Sequence, residues 1–493
     1  MTSAKIKAHG IAGGLLVLLF LALLAVRLDV FPGLRLPGSG PAASSAAPSR
    51  ADEDRWMAVY QNGRKIGYSH RRMQRIPAGY RFEESGLLRV NTMGVVQDIR
   101  MKTTGDLNPD GTLSAFRFDL QSSLFRFVVR GEVRGREAVV YHGPPSAEKR
   151  IRIALREAPH LSNGLYEALR GRALATGQEM TLNVFDPASM AERPVRVTVL
   201  QRETIRVMGR THAARKVAVD FMGARQVAWL GEDGGVLREQ GLLGMTVEQV
   251  TKDRALDGLT LAASADLTDA ASIPSRVVLD APETLAQMTV RLANVRPGSL
   301  SLDGGRQRYE QGRLTITREA TPAARTTREA LPTEIRPFLA ATPFIQSDHP
   351  EIRARAARIV SPGDGDAVKA RKLTDWVYRN VEKRPVLSVP NALETLTHRV
   401  GDCNEHAALL AALARAAGIP AQIEAGLVYL KGRFYYHAWN VLYVDGWVTA
   451  DATLGQMPAD VTHIRLVRGE ADRQIDLAGI IGAVDLEIVD TKK

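Results

Sequence analysis

Between Trp56 and about Gly258 apolar and polar residues alternate almost one by one, and a period of two is the period of an extended strand. Phe116, Phe118 and Leu120 alternate with Arg117 and Asp119. Phe127 and Val129 alternate with Val128 and Arg130, and Val195, Val197 and Val199 with Arg196, Thr198 and Leu200. Asn62-Gly63, Asp110-Gly111 and Asp233-Gly234-Gly235 supply the turns between such runs. A chain patterned this way predicts an antiparallel sheet with one face packed and one face wet. Residues 161–170 are the one short helical stretch within it, and no internal repeat of fixed period is visible.

The pattern then changes. A second, smaller β region is expected at 272–320, with strands at 277–279, 288–292 and 313–317. Helix is predicted from Asp348-His349-Pro350, a capping residue two before a proline in the first turn. After the Pro362-Gly363-Asp364-Gly365 break, Ala370, Leu373, Val377 and Val381 fall at helical spacing, with Trp376 beside them. Another turn or two of helix is expected at 391–396. A last helix runs to Ala417 from the region of Cys403, with Asp402 or its neighbour placed to cap it, Gly418 to stop it and Pro420 beyond.

The chain has 493 residues, too many for a single core. The expected fold class is α+β, with an N-terminal transmembrane helix, antiparallel β-rich domains and a C-terminal helix-and-sheet domain. Residues 1–30 form the cytoplasmic N-terminus and anchor, 31–54 a linker, 55–260 the β-rich domain, 270–335 the small β region and 340–493 the C-terminal domain.

The anchor rests on an uncharged run at 8–26, dense in leucine, preceded by Lys5 and Lys7 and closed by Arg27. About 20 such residues cross a bilayer, and the lysines suit its cytoplasmic side. A cleaved signal peptide is the alternative, but Ala25-Val26-Arg27 lacks a small-x-small site. The Pro-, Gly-, Ala- and Ser-rich stretch after it reads as a tether. The expected location is therefore the cell membrane, spanned once, with the bulk of the chain on the periplasmic side and the inner membrane as a partner.

The formal charge of +11 is unevenly placed: residues 55–258 hold 32 Lys and Arg against 22 Asp and Glu, whereas 351–493 hold 18 of each. The basic β domain is either an ordinary solvated surface or one drawn to anionic lipid or another envelope polyanion. No motif supports nucleic-acid binding. At 45% hydrophobic and 24% charged residues, the composition fits neither a polytopic membrane protein nor a disordered chain.

Cys403 is the sole cysteine and cannot close an intramolecular disulfide. It is either a small buried hydrophobe or a thiol kept for its own chemistry. At a helix start, free N–H groups and the positive helix end are expected to lower its pKa and to offer an oxyanion donor. His437 shares a strand face with Trp439, Val441 and Tyr443, as a packing residue or as a base. Asp451 shares the next strand's face with Trp447 and Thr449.

The turn at Asp445-Gly446 decides whether those faces coincide. A two-residue hairpin puts Asp451 opposite Asn440, away from His437. A three-residue loop at 444–446, with Gly446 left-handed, opposes Tyr443 to Trp447 and Trp439 to Asp451. His437 and Asp451 are then diagonal neighbours within reach. Cys403, His437 and Asp451 are thus the candidate nucleophile, base and orienting carboxylate. Glu405 and His406 beside Cys403 do not make a zinc set, so neither metal nor cofactor is expected.

From Gly401-Asp402-Cys403 through Tyr436-His437-Ala438-Trp439 to Asp451-Ala452-Thr453-Leu454-Gly455-Gln456, with Ala416-Ala417-Gly418-Ile419-Pro420 between, the chain resembles the bacterial transglutaminase-like superfamily. The likeness spans roughly 340–470, about a quarter of the chain. It departs at Ala452, where the family has proline. The resemblance implies a papain-like α+β core in which the Cys403 thiolate attacks a protein or peptide amide and forms an S-acyl enzyme. Hydrolysis by a cysteine protease or amidase is favoured over transamidation. Tyr435, Tyr436 and Trp439 either line the channel or pack the core. The rival expectation is a catalytically silent envelope protein that binds or scaffolds.

Overall fold

The computed structural model describes residues 52–493 except 124, 144–147, 171, 173, 222–223, 259–265, 296–299, 324–330, 387, 471–473, 475–476 and 478–479. The expected transmembrane helix and nearly all of the linker lie outside the described residues. Among those described, no helix is long and apolar enough to cross a membrane. The chain divides at Asp266/Leu267 into two compact units.

The first unit is one fifteen-stranded sheet built from two meanders. Eight strands follow one another from Glu53–Gln61 to Lys149–Ala154, and seven from His160–Leu161 to Met245–Val250. The meanders join where the first strand pairs with the last, Trp56 opposite Val250. The alternation in the sequence is the alternation of burial: Phe116, Phe118, Leu120, Val195, Val197 and Val199 are buried, while Arg117 and Arg196 are exposed. The pairing is antiparallel except between His160–Leu161 and Glu179–Asp186. The expected helical stretch is a turn of 3-10 helix, Ser162–Gly164, running into Leu165–Leu169.

The second unit, from Leu267 onward, holds three sheets and four helices of seven or more residues among its described residues, the smallest sheet being the parallel pair Glu382–Lys383 and Val400–Gly401. A four-stranded sheet has the order Gln307–Glu310, Arg313–Thr317, Gln287–Ala293, Asp485–Lys492. Its core comprises Met288, Val290, Leu314 and Ile316, all at 0% exposure. The strand expected at 277–279 does not form. The Ser275 hydroxyl accepts from Val277 N–H at 3.2 Å and donates to its carbonyl at 2.7 Å, which folds the chain into a bend. Val278 is left exposed.

The helices are Pro350–Ile359, Asp366–Asn380, Ala392–His398 and Cys403–Ala416. The cap of the first is His349, whose Nδ1 accepts the Glu351 N–H, and not the residue before it. In the second, Ala370, Leu373 and Val377 are buried on one face, as their spacing requires. Asn391 caps the third by accepting from Leu393 and Glu394. The fourth is almost wholly buried. Gly418, at φ +82°, ends it, with Gly418 N–H on the Arg415 carbonyl and Ile419 N–H on that of Ala414.

Against this helix lies the second sheet, in the order Ile273–Pro274, Arg433–Tyr443, Ala421–Leu430, Ile464–Arg468. Trp447–Ala450 also pairs with Arg433–Tyr443, at residues 440–443, whereas Ile273–Pro274 meets only Phe434 and Arg433. Between these two short partners, residues 435–439 have no strand on that edge.

Candidate active site

The cysteine is placed by the start of its helix. Asp402 accepts the Asn404 N–H at 3.1 Å, and Glu405 reaches back to the Asp402 N–H at 3.0 Å, a capping box around Cys403. Ser388 donates to the other Glu405 oxygen at 2.6 Å. Gly401 is needed here, because a Cβ at that position would lie 2.3 Å from Glu405 Cβ. The sulfur meets the open stretch of the neighbouring strand edge and accepts the Ala438 N–H at 3.3 Å. Asn440 ties the same strand to the helix by donating to the Ala407 carbonyl at 2.9 Å.

The hairpin has the three-residue loop. Tyr443 opposes Trp447 and Asn440 opposes Ala450, so the register brings Trp439 level with Asp451. Val444 N–H donates to the Gly446 carbonyl at 2.8 Å. The left-handed turn residue is Asp445, at φ +58°, followed by Gly446 at φ +142°. The expectation put glycine alone in that role, but a short polar side chain tolerates it too. His437 Nε2 lies 2.6 Å from Asp451 Oδ2. The other oxygen of Asp451 accepts the Thr453 and Leu454 N–H groups at 2.6 and 3.0 Å.

The hydrogen bond to Asp451 puts the His437 proton on Nε2 and leaves Nδ1 bare, and Nδ1 is buried with no partner. Cys403, His437 and Asp451 each have 0% exposure. Burial works against ionisation of Asp451, yet His437 and His463 outweigh it and hold the carboxyl well below the usual carboxylate range. The thiol departs from expectation. Burial, and then the Asp402 carboxyl, push Cys403 well above its ordinary pKa, and Asp451 and Glu405 add to the rise. The Ala438 N–H opposes them. Helix-end stabilisation is outweighed because the sulfur is dry and faces acids.

Two residues of the site escape a reading of the sequence. His463 donates from Nε2 to the same Asp451 oxygen at 3.0 Å, and its Nδ1 lies 3.2 Å from Asp460. Asp460 and His463 lie nine and twelve residues beyond Asp451, on an excursion whose return no spacing rule announces. The only local signal was Asp460-Val461-Thr462-His463, a polar turn ahead of an apolar strand.

His437, Asp451 and His463 bring three ligand atoms within 4.8 Å of one another. The two nitrogens stand 2.6 and 3.0 Å from Oδ2, whereas ligands on a tetrahedral zinc with bonds near 2.0 Å stand about 3.3 Å apart. The arrangement is that of a hydrogen-bonded chain.

Of the aromatic residues, Trp439 and Tyr436 pack in the core, while Tyr435 is half-buried. Trp439 donates to Glu424 at 2.9 Å and lies stacked beside His437 with centroids 6.1 Å apart. Tyr436 donates to the Ile480 carbonyl at 3.0 Å. Glu424 is itself buried, and despite that burial Arg468 and Arg465 keep it below its ordinary pKa. Burial pushes His406 down to about 4, so it stays neutral beside the site.

No curated protein matches the chain. Among solved structures it is similar to a proposed cysteine protease from Cytophaga hutchinsonii, with 21% identity over 42% of this chain and 86% of that one, at a TM-score of 0.28. A β-barrel-like protein from Brucella abortus is 17% identical over 40% of this chain and 96% of its own, at a TM-score of 0.32. A proposed protease from Parabacteroides distasonis is 13% identical over 52% and 64%, at 0.19. Superpositions this loose carry no weight beside the family match. Residues 353–452 fit the model of the transglutaminase-like superfamily, a span that holds Cys403, His437 and Asp451 together. The chain carries, over those residues, a domain of the transglutaminase-like superfamily.

Proposed function

We propose that this protein is a thiol acyl-transfer enzyme acting on protein or peptide amides, with Cys403 as nucleophile, His437 as base and Asp451 as its orienting carboxylate. One observation carries the reading: His437 is hydrogen-bonded to Asp451 through Nε2, and its bare Nδ1 is buried without a partner on the strand whose next N–H binds the Cys403 sulfur. In this mechanism Nδ1 takes the thiol proton and the sulfur attacks the amide carbonyl. The Cys403 N–H at the helix start donates to the oxyanion, and the protonated ring then delivers its proton to the leaving amine. Water as acceptor completes hydrolysis, the favoured outcome. A lysine amine in its place gives a cross-link. The proposal also seats the chain on the periplasmic side of a membrane through residues 8–26, on their sequence alone.

The test uses the single thiol. Iodoacetamide alkylation of Cys403 is followed by mass spectrometry from pH 5 to 10. Burial and the neighbouring acids raise the thiol's own pKa, so thiolate near pH 7 has to come from proton transfer to His437. His437→Ala is therefore expected to abolish alkylation below pH ~8.5. Burial of the sulfur makes the absolute rate small, so the comparison between variants is the readout. Identical profiles for the two proteins would sink the enzyme and leave a silent binding domain.

A further inference from the structure

His463 has two ring nitrogens and an acid facing each. Nε2 lies 3.0 Å from Asp451 Oδ2 and Nδ1 3.2 Å from Asp460 Oδ1. Every other hydrogen-bonding group the structure shows around these carboxyls is a donor. Asp460 accepts the Thr462 N–H and hydroxyl at 2.8 and 2.6 Å and the Gln456 amide at 3.0 Å. Asp451 accepts Thr453, Leu454 and His437. Both carboxyls are therefore acceptors, and a neutral imidazole could satisfy only one of them. An imidazolium satisfies both.

Among the described residues, the surroundings supply no other partner for the ring. It has 0% exposure, Trp439 packs against it edge-on at 5.1 Å, and the His437 ring stands at 5.8 Å. Arg306 reaches the His463 backbone carbonyl at 3.1 Å. Lys383 feels the charge of Asp451, which opposes the lowering of its pKa by burial.

We propose that His463, held as an imidazolium between Asp460 and Asp451, is a positioning residue that keeps Asp451 ionised and thereby fixes His437 in its Nε2–H tautomer. The functional consequence rests on the thiol-enzyme reading; the tautomer itself does not. Without the cation, two buried carboxylates face each other uncompensated, and one takes a proton. A protonated Asp451 donates to His437 Nε2, which moves the ring proton to Nδ1. That tautomer has no lone pair left for the Cys403 proton. Burial disfavours the charge on His463, but Asp460 and the hydrogen bonds from both acids outweigh it, carrying the ring up to about 9.

The experiment is ¹⁵N NMR of histidine-labelled full chain, with His437 and His463 assigned by signal loss in His437→Gln and His463→Gln. At pH 7 the expected spectrum has His463 protonated on both nitrogens and His437 on Nε2 alone. His463→Gln is expected to shift His437 toward Nδ1–H and to slow Cys403 alkylation by about tenfold. Asp460→Asn, which keeps the side-chain volume, is expected to do the same. A neutral His463 in the wild-type protein overturns the proposal, whether or not the variants fold. So does an unchanged His437 spectrum in both folded variants. If His437 follows His463 while the wild-type thiol stays unreactive, the positioning role stands and the enzyme reading falls.

Discussion

At the scale of single residues, the site is a line of alternating acids and imidazoles, Asp460, His463, Asp451 and His437, which ends on the strand whose Ala438 N–H binds the Cys403 sulfur. Its charges tie stability to pH in opposite senses for the two acids and for His463. Asp451 and Asp460, held below the usual carboxylate range, stabilise the fold above ~4 and lose that contribution in acid. His463 is the reverse case. Its pKa rises from ~6.5 unfolded to about 9 folded, so its contribution is whole below pH 6.5 and is lost as pH climbs through 9. The expected loss is on the order of 3 kcal/mol between pH 6.5 and 10. Urea midpoints at pH 6, 8 and 10 measure it, and His463→Gln is expected to flatten the decline relative to wild type. Parallel curves for the two proteins would show that His463 is not charged in the fold.

At the scale of elements, the cysteine depends on one crowded turn. Gly401 passes so close to Glu405 that a methyl group would strike its Cβ and Cγ, at 2.3 and 2.8 Å. Glu405 holds the Asp402 N–H and the Ser388 hydroxyl, so moving it loosens the helix start. Gly401→Ala is expected to cost about 1–3 kcal/mol in urea unfolding and to alter the alkylation profile of Cys403. Glu405→Gln, which preserves the shape, is expected to do less; the opposite order would locate the constraint elsewhere. The same turn marks what could be read in advance. Glycine and aspartate before a helix singled out Cys403, and the hairpin narrowed the meeting of His437 and Asp451 to a choice between two loop lengths, because both are local. The bend at 277–279 was not legible: its valines favour a strand, and one serine hydroxyl overrides them. His463 was not legible either, since its partner Asp451 lies across a loop.

At the scale of the whole molecule, the least legible feature is which segments complete the second unit. The sequence suggests a break near 340, with a small β region before it. In the fold, Asp485–Lys492 is the outer strand of that earlier sheet, paired with Gln287–Ala293. Pairings this distant leave no mark on local periodicity. Arg306 donates to the Ala459 and His463 carbonyls at 2.5 and 3.1 Å, and Gln307 exchanges two hydrogen bonds with the Arg465 backbone, at 2.5 and 3.0 Å. Glu319 accepts the Thr449 N–H at 3.0 Å. The small sheet thus fastens the loop that carries Asp460 and His463 and the strand that leads to Asp451. A fragment of residues 340–493 would lose all five bonds, at about 1 kcal/mol each, and strand its last segment without a partner. Against a typical total of about 5–15 kcal/mol, that loss unfolds it or leaves it marginal. A fragment of residues 267–493 keeps every one of these contacts. It is expected to unfold in urea in one cooperative transition and to retain the alkylation profile of Cys403, whereas 340–493 lacks near-ultraviolet circular dichroism. Equal folding and equal thiol reactivity in the two fragments would mean that the small sheet is an attachment, with the site self-supporting from 340 onward.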